Sequence, residues 1–271
     1  ALDDLLRLSK DEDSSVRSSA TEVLDSLFSQ FTVTQQAWND LHILTYNLDW
    51  NVRSIAAEIL GSLFSQLPDK QQAWDDLVRL SKDEDGYVRS NAAWAFDSAL
   101  SQVPDKLKAW NDLHTLICDV HWTVRSNVAE VLGSLFSQLH DKEQAWNDLH
   151  RLTKDEVSDV RFNAADALGS AFSQVTDKQQ AWEDLHRLTN DQDRNVRSNA
   201  AWALGISFPY LPDKQQAWDD LLRLTNDVHW NVRTFSNYSL GRVSIFKAYQ
   251  ADKEEDYKRE LEKAIEFFEK A

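Results

Sequence analysis

The sequence has few of the residues that interrupt helices or cross-link chains. Six glycines and four prolines in 271 residues favour helices joined by short turns over an all-β fold. The single cysteine, Cys118, excludes a disulfide within the chain and is typical of a reducing compartment, so we expect a cytoplasmic protein. No apolar run reaches the roughly 18 residues of a membrane-spanning helix, and no signal peptide is visible.

Basic residues are also scarce. Lysine and arginine number 29 against 45 aspartates and glutamates, which gives a formal net charge of −16. Because such a surface repels phosphate groups, we expect neither nucleic acid nor an anionic membrane as a partner. A basic or aromatic protein segment is the expected partner.

A repeat of 36 residues runs through most of the chain. The dipeptide Ala-Trp recurs at this interval, and Leu2 takes the place of tryptophan in the first copy. The pair Val-Arg keeps the same interval in all seven copies, which begin at residues 1, 37, 73, 109, 145, 181 and 217. We therefore predict one repeat array over residues 1–246.

Each repeat has the pattern of two helices joined by a polar turn, because apolar residues recur at one-face helical spacing in both halves. In the last repeat, Asp213 is predicted to cap the first helix and Gln216 to complete a capping box. Gly205 is predicted to mark the end of a second helix. Neither helix can bury its apolar face alone, so neighbouring repeats must stack.

Residues 247–271 leave the repeat phase. Five side chains of this segment share one face of a charged helix: Tyr257, Leu261, Ala264, Ile265 and Phe268. We predict a capping helix over the last repeat, although residues 260–271 also resemble a tetratricopeptide-type helix that could lead into a further region. The lack of methionine and of a capping segment before the first repeat predicts a piece of a longer protein.

A two-helix repeat with Val-Arg at the start of the second helix, and an aspartate six residues before that arginine, resembles the HEAT repeat. The short, alanine-rich form of phycobilisome-lyase-like and archaeal HEAT proteins is the most similar. The resemblance implies an all-α fold, a right-handed α-α superhelix or solenoid of seven repeats, and an Asp/Arg ladder between successive repeats. By spacing, each arginine pairs with the aspartate six residues before it, as Arg197 does with Asp191, except that Arg53 has Asn47 there. The predicted ladder residues are Arg17, Arg53, Arg89, Arg125, Arg161, Arg197 and Arg233 with Asp83, Asp119, Asp155, Asp191 and Asp227.

Three further sets recur at fixed positions and are interpreted as packing residues. The tryptophans of the first helices should be buried between repeats: Trp38, Trp74, Trp110, Trp146, Trp182 and Trp218. Asparagines recur on one flank of the second helices: Asn91, Asn127, Asn163 and Asn199. The histidines share a position with Leu6, Val78 and Leu222, which indicates semi-buried packing: His42, His114, His150 and His186. Because neighbours would lie about 10 Å apart, too far to share one metal ion, we expect no metal and no other cofactor.

The second helices also carry positions that vary, on the face turned away from the core. One of them, here called the central slot, holds Glu22, Glu58, Trp94, Glu130, Asp166, Trp202 and Tyr238 in the seven repeats. One turn earlier most repeats have serine, and one has Phe162. The predicted partner-binding residues are Trp94, Trp202, Tyr238, Glu58, Glu130, Asp166 and Phe162. The alternative is that Trp94 and Trp202 lie flat on neighbouring helices.

Three more tryptophans, Trp50, Trp122 and Trp230, stand at the start of second helices and are interpreted as packed under the loop. The variable face favours a monomeric, non-enzymatic scaffold that binds a partner peptide or helix in an acidic, aromatic concave groove. The alternative is a sensor or structural arm of a larger signalling protein.

HEAT-type enzymes fit less well. Alkylpurine glycosylases need a basic groove, and deoxyhypusine hydroxylases need His-Glu dyads that this sequence lacks. A bilin lyase would use Cys118, but this cysteine follows Ile117 at the end of a first helix and is interpreted as a packed residue.

Overall fold

The computed structural model describes residues 34–103, 105–139 and 141–271, together with Leu8, Asp11, Asp13, Ser15, Val16, Ser19, Ala20 and Val23. The predicted ladder residue Arg17 and the face residue Glu22 lie outside the described residues. Contacts between Cα atoms divide the chain into two compact units. The first unit takes residues 1–131 and 138–140, and the second takes 132–137 and 141–271.

The described residues form thirteen α-helices and no strand, which confirms the predicted all-α solenoid class. The helices that begin in the first unit are α1 Gln35–Leu44, α2 Trp50–Leu63, α3 Lys70–Leu80, α4 Gly86–Leu100, α5 Lys106–His114 and α6 Trp122–Leu135. Those of the second unit are α7 Lys142–Leu152, α8 Ser158–Ala171, α9 Lys178–Leu188, α10 Arg194–Ser207, α11 Lys214–Leu224, α12 Trp230–Tyr249 and α13 Glu254–Lys270. Up to α12, odd numbers are the first helices of the repeats and even numbers the second helices. Short 3₁₀ segments follow α2, α5, α6 and α10: Phe64–Gln66, Thr115–Cys118, Phe136–Gln138 and Phe208–Tyr210.

An aspartate caps the N-terminus of most first helices. The backbone N–H of Gln216 donates to Asp213 Oδ1 at 2.9 Å, as predicted. The Gln216 side chain donates instead to Asp220 Oδ1, at 3.3 Å, and so does not complete the predicted capping box. The Gln216 amide thus bonds to the carboxylate of Asp220, one turn further along the helix.

Glycines of the second helices mark close approaches between repeats, and Gly205, predicted to mark the end of its helix, lies in the last turn of α10, which ends at Ser207. Gly205 lies inside α10, and a Cβ built on it would be 2.6 Å from Ser239 Oγ of α12. A Cβ on Gly169 of α8 would be 2.8 Å from Ala203 Cβ of α10. These helices approach so closely because the side chain is absent at the contact point.

The core lies between the stacked helix pairs within each unit. Five first-helix tryptophans are buried, as are the valine, alanine and leucine residues of the second helices: Trp38, Trp74, Trp110, Trp146 and Trp182 are no more than 5% exposed. Trp218 is half-buried, and its ring lies 5.8 Å from that of Phe267 and 3.6 Å from Lys247 Nζ. Within the described ranges, every helix is too short or too polar to cross a membrane.

The last helix, α13, packs antiparallel against α12. Thr234 Oγ1 donates to the carbonyl of Ala271 at 2.9 Å, and the rings of Tyr238 and Phe268 lie 5.5 Å apart, edge to face. The face of α13 that is buried against α12 contains Glu260 and Ala264. Tyr257 and Ile265 of the predicted apolar face are exposed.

Candidate functional site

The arginines at the start of the second helices brace the turn of their own repeat. All six that the structure describes donate from Nη1 to the carbonyls six and five residues earlier: Arg53, Arg89, Arg125, Arg161, Arg197 and Arg233. In the case of Arg197, the acceptors are Asp191 O at 2.8 Å and Gln192 O at 3.0 Å. Each arginine therefore fixes the polar turn that joins its two helices.

The carboxylate partner of four of these arginines, Arg53, Arg89, Arg161 and Arg197, belongs to the next repeat. Arg197 Nε and Nη2 donate to the carboxylate of Asp227 at 2.8 and 3.0 Å, and the side chain of Asp191 instead accepts from Arg161. Arg53–Asp83 and Arg89–Asp119 make the same bidentate pairs in the first unit. The sequence-based pairing of Arg197 with the Asp191 side chain was therefore wrong. Asp155, another predicted ladder residue, accepts the backbone N–H of Val157.

The ladder holds its aspartates in the ionised form. The hydrogen bond from Arg197 lowers the pKa of the Asp227 carboxyl below its ordinary value, against the opposing effect of burial. Bidentate pairing of this kind has restrictive geometry and excludes other ligands from both groups. We assign these residues to the scaffold.

The flank asparagines form a second set of bonds between repeats. Asn91 Nδ2 donates to Ser54 O and Oγ of the preceding repeat at 3.1 Å each, and Asn127 makes the same contacts to Ser90. In the second unit Asn199 Nδ2 donates to Phe162 O at 2.8 Å. These contacts explain why the position repeats.

The histidines of the first helices form a third set, which the interpretation as packing residues missed. His42 Nδ1 lies 2.6 Å from Asp76 Oδ2, and His150 and His186 lie 2.5 Å from Asp184 and Asp220. Each of these aspartates is almost fully buried and belongs to the next repeat. The available signal was that an aspartate follows each of these histidines by 34 residues, and that both positions recur with the repeat.

Asp112 occupies the same position but lacks this partner. The preceding repeat has Val78 where others have histidine. Asp76 and Asp184 each also contact an arginine three residues later, whereas the residue three positions after Asp112 is Thr115. Among the residues that the structure describes, Asp112 Oδ2 is a buried oxygen with no hydrogen-bond partner. Burial raises the pKa of the Asp112 carboxyl above its ordinary value. The ionised carboxylate therefore destabilises the fold at neutral pH.

Replacing Val78 with histidine should supply the missing donor and raise the free energy of unfolding by about 1 kcal/mol at pH 7. Because burial raises the folded-state pKa of Asp112, the ionised carboxylate lowers the free energy of unfolding above that pKa, and this loss disappears as the carboxyl is protonated. The gain should accordingly vanish below about pH 4. Urea unfolding at both pH values measures it. Leu222→His, in the same position of the last repeat, is the matched control and should give no gain.

The central slot of the first unit places one aromatic side chain between two acidic ones. Glu58, Trp94 and Glu130 stand on the consecutive second helices α2, α4 and α6, and all three are exposed. Trp94 is 39% exposed, and its ring edge reaches over Gly61, where it lies 3.3 Å from a Cβ built on that glycine. The ring thus leans on the neighbouring helix yet keeps much of its surface open.

The central slot of the second unit is more crowded. Trp202 stacks on Tyr238 at 5.5 Å and 27°, meets Phe235 edge to face at 6.3 Å, and has Arg242 5.4 Å from its ring centre. Tyr238 continues to Phe268 of α13. The structure therefore gives Trp202 much of the neighbour packing that was the alternative to binding.

Acidic and aromatic side chains flank this aromatic group. Asp166 and Phe162 are exposed on α8, and partial burial raises the pKa of the Asp166 carboxyl. Phe162 differs from its counterparts, because the serines of that position are buried: Ser54, Ser90, Ser126 and Ser198. The sequence predicted that this position is exposed in all repeats, but among these five residues only Phe162 is exposed.

Two interpretations of packed residues were wrong. Trp50, Trp122 and Trp230 are 45%, 40% and 69% exposed, so the loop does not cover them. Their position at the first turn of a second helix projects them beyond the helix pairs. Cys118 is also exposed, because the first helix of its repeat ends early, at His114, and the cysteine closes a 3₁₀ segment.

Sequence comparison identifies the repeat. Residues 149–241 match the family described as HEAT repeats, and a search of curated proteins gives no match. This match and the stacked helix pairs agree with the prediction of HEAT-like repeats, which the family match places at residues 149–241.

Solved structures share the fold. The Escherichia coli protein YibA has a TM-score of 0.66 and 20% identity over 99% of this chain and 92% of its own. A designed armadillo repeat protein in complex with the peptide (KR)4 has a TM-score of 0.54 and 20% identity, covering 76% of this chain and 98% of its own. The complex of CpcE and CpcF of phycocyanin lyase from Nostoc sp. has a TM-score of 0.52 and 18% identity, with coverages of 98% and 94%. At these identities the likeness concerns the fold.

Proposed function

We propose that this HEAT-like repeat chain is a non-enzymatic interaction module that binds a basic segment of a partner protein along the second-helix face. The observation that carries the proposal is the alternation Glu58, Trp94, Glu130 on three consecutive helices of the first unit, with all three side chains exposed. The neighbouring positions of these helices are used for packing and inter-repeat hydrogen bonds. Variation limited to the one open position is how a repeat protein acquires a binding surface.

The chemistry of this row suits lysine and arginine. A cation over the face of a tryptophan gains electrostatic attraction from the ring, and carboxylates on either side add to it. In the second unit, Arg242 lies 5.4 Å from the centre of the Trp202 ring and is an internal example of such a contact. Since Trp202 already has this neighbour and Tyr238, we expect Trp94 to contribute more to binding than Trp202.

The net charge of −16 supports the same partner, because it would accelerate the encounter with a basic segment. The similar designed armadillo protein has been solved with (KR)4, an alternating basic peptide. The partner segment could belong to another protein or to another domain of a longer chain. Both cases use the same face.

Replacing Trp94 with alanine should weaken binding of labelled (KR)4 about thirtyfold, which corresponds to the roughly 2 kcal/mol of an interface hot spot. Fluorescence anisotropy at 50 and 300 mM salt measures the affinity, which should fall with salt for the wild type. Trp202→Ala should have a smaller effect, and Trp230→Ala, at a tryptophan outside this face, should have none.

The carboxylates have their own control. Glu58→Gln with Glu130→Gln should weaken binding, whereas Glu254→Gln with Glu255→Gln on α13 makes the same charge change elsewhere. Equal effects of the two pairs, or equal affinities of the Trp94→Ala and Trp230→Ala chains, would show that (KR)4 senses net charge alone and would refute the proposed face.

A further inference from the structure

Exposed aliphatic side chains stand at two turns of the first unit, away from the second-helix face. Leu48 is 100% exposed and Val120 is 91% exposed, both at the same position of the turn that joins the helices of a repeat. Of the other repeats, four have Glu12, Glu84, Glu156 or Gln192 at this loop-tip position, and the last has Val228, which is 84% exposed. The fold therefore accepts a charged or polar residue there and does not require the aliphatic ones.

A row of aromatic rings, here called the loop-edge row, lies beside these tips. It consists of Trp50, Tyr87, His121 and Trp122. Trp50 stacks on Tyr87 at 5.7 Å, Tyr87 meets His121 at 5.1 Å, and His121 stacks on Trp122 at 6.5 Å. Trp50, Tyr87 and Trp122 are all at least 40% exposed.

A glycine makes the row continuous. Gly86 occupies the position of Trp50 and Trp122, and a Cβ built on it would lie 2.5 Å from His121 Cδ2. The missing side chain lets the His121 ring lie against the start of α4 and join Tyr87. In the second unit the same position holds Ser158, Arg194 and Trp230, and the contacting rings Trp50, Tyr87, His121 and Trp122 all belong to the first unit.

The charges at this edge are mainly acidic. Glu84 stands at the loop tip between those of Leu48 and Val120, and its side chain is 91% exposed. Asp49 and Asp85 cap α2 and α4 beside the row. The arginines of this edge, Arg53 and Arg89, are each paired with a ladder aspartate. Arg53 Nη2 also lies 3.8 Å from Glu84 Oε1, but that carboxylate stays open to solvent.

We infer that the loop-edge row and its two aliphatic tips form a second docking surface, for an extended protein segment with two apolar side chains on either side of a lysine or arginine. The apolar residues would contact Leu48 with Trp50 and Val120 with Trp122, and the basic residue would face Glu84. Repeats are spaced by about 10 Å, so the two anchor points are about 20 Å apart. An extended chain rises about 3.3 Å per residue, which places the two apolar residues about six positions apart.

This surface is independent of the proposed second-helix face, because the two share no side chain. The test accordingly uses the Trp94→Ala chain, in which the other face is weakened. A phage-displayed library of random nonapeptides is panned in parallel on this chain and on the same chain carrying Leu48→Glu and Val120→Glu. Glutamate occupies the loop-tip position of three other repeats, so the added changes should leave the circular dichroism spectrum and the melting temperature unaltered.

We expect peptides that are recovered only from the chain with Leu48 and Val120, with two apolar residues five to six positions apart and a lysine or arginine between them. Their affinity should fall at least tenfold in the double glutamate chain. Recovery of the same peptides from both chains, or a consensus with acidic residues between the apolar ones, would overturn the inference. So would a dimer in sedimentation, or flotation with phosphatidylcholine vesicles, that the two glutamates abolish, because the occupant would then be a second copy or a lipid surface.

Discussion

Replacing Arg161 with leucine should lower the free energy of unfolding by about 3–5 kcal/mol, the range found when one partner of a buried ion pair is removed. Arg161 donates to two carbonyls of its own turn and makes a bidentate pair with Asp191 of the next repeat. The side chains of the pair are only 16% and 9% exposed. The variant therefore leaves a buried carboxylate without its cation and loosens the turn before α8.

The pH dependence separates these two losses. Burial alone would raise the pKa of Asp191, but the hydrogen bonds from Arg161 and the Asp193 backbone hold it below its ordinary value. A carboxyl with a lowered folded-state pKa stabilises the fold above its unfolded pKa, and this contribution is lost as the pH falls through the folded value. The difference between wild type and Arg161→Leu in urea unfolding should thus be full at pH 7 and shrink below about pH 4.

The matched control for this variant is Arg233→Leu. Arg233 makes the two turn contacts, but α13, and not another repeat, follows its repeat. Its replacement should cost less, and the cost should depend little on pH. Equal costs for the two variants would mean that the turn contacts, and not the inter-repeat pair, provide the stability.

Trp146→Ala should lower the melting temperature by about 10 °C, because removing a buried aromatic ring costs about 3–5 kcal/mol. The Trp146 ring is 4% exposed and lies 5.5 Å from that of His150, which itself bonds to Asp184. Differential scanning calorimetry measures the change. Trp230→Ala removes a ring of the same size that is 69% exposed, and it should shift melting by no more than about 1 °C.

Below its melting transition, the Trp146→Ala chain should bind (KR)4 as the wild type does, since this ring has no part in the proposed face. Loss of binding at unchanged stability would overturn the assignment of the first-helix tryptophans to the scaffold. Together with Trp94→Ala, the variant separates side chains that hold the repeats together from those that hold a partner.

The repeat period predicted the helix pairs, and the recurrence of Val-Arg predicted a ladder. It could not predict the ladder partner, because an aspartate 6 residues before an arginine is also 30 residues before the arginine of the preceding repeat. In a sequence of period 36, the two pairings are the same pattern. The structure distinguishes them, since the turn offers the arginine the carbonyl of Asp191 while its carboxylate faces Arg161.

Exposure was harder to predict than packing. Trp94 and Trp202 occupy one position within identical eight-residue segments, yet one ring lies over Gly61 and the other stacks on Tyr238. Both have a glycine 33 positions earlier, and the difference arises from the following repeat, which places Phe235 and Tyr238 beside Trp202 but Asn127 and Glu130 at the corresponding positions for Trp94. Trp50 and Trp122 were wrongly predicted to be buried under the loop, because large apolar residues are more often buried than exposed.

The offset of the arginine ladder has a consequence for how such a gene can change. In the pairs that the described residues show, a repeat gives a guanidinium to its successor and a carboxylate to its predecessor, as Arg161–Asp191 and Arg197–Asp227 do in turn. Duplication or deletion of a whole 36-codon stretch rejoins a donor to an acceptor in the original register, whereas any other length breaks a buried pair. The array can therefore lengthen or shorten through recombination between its own copies, one complete repeat at a time.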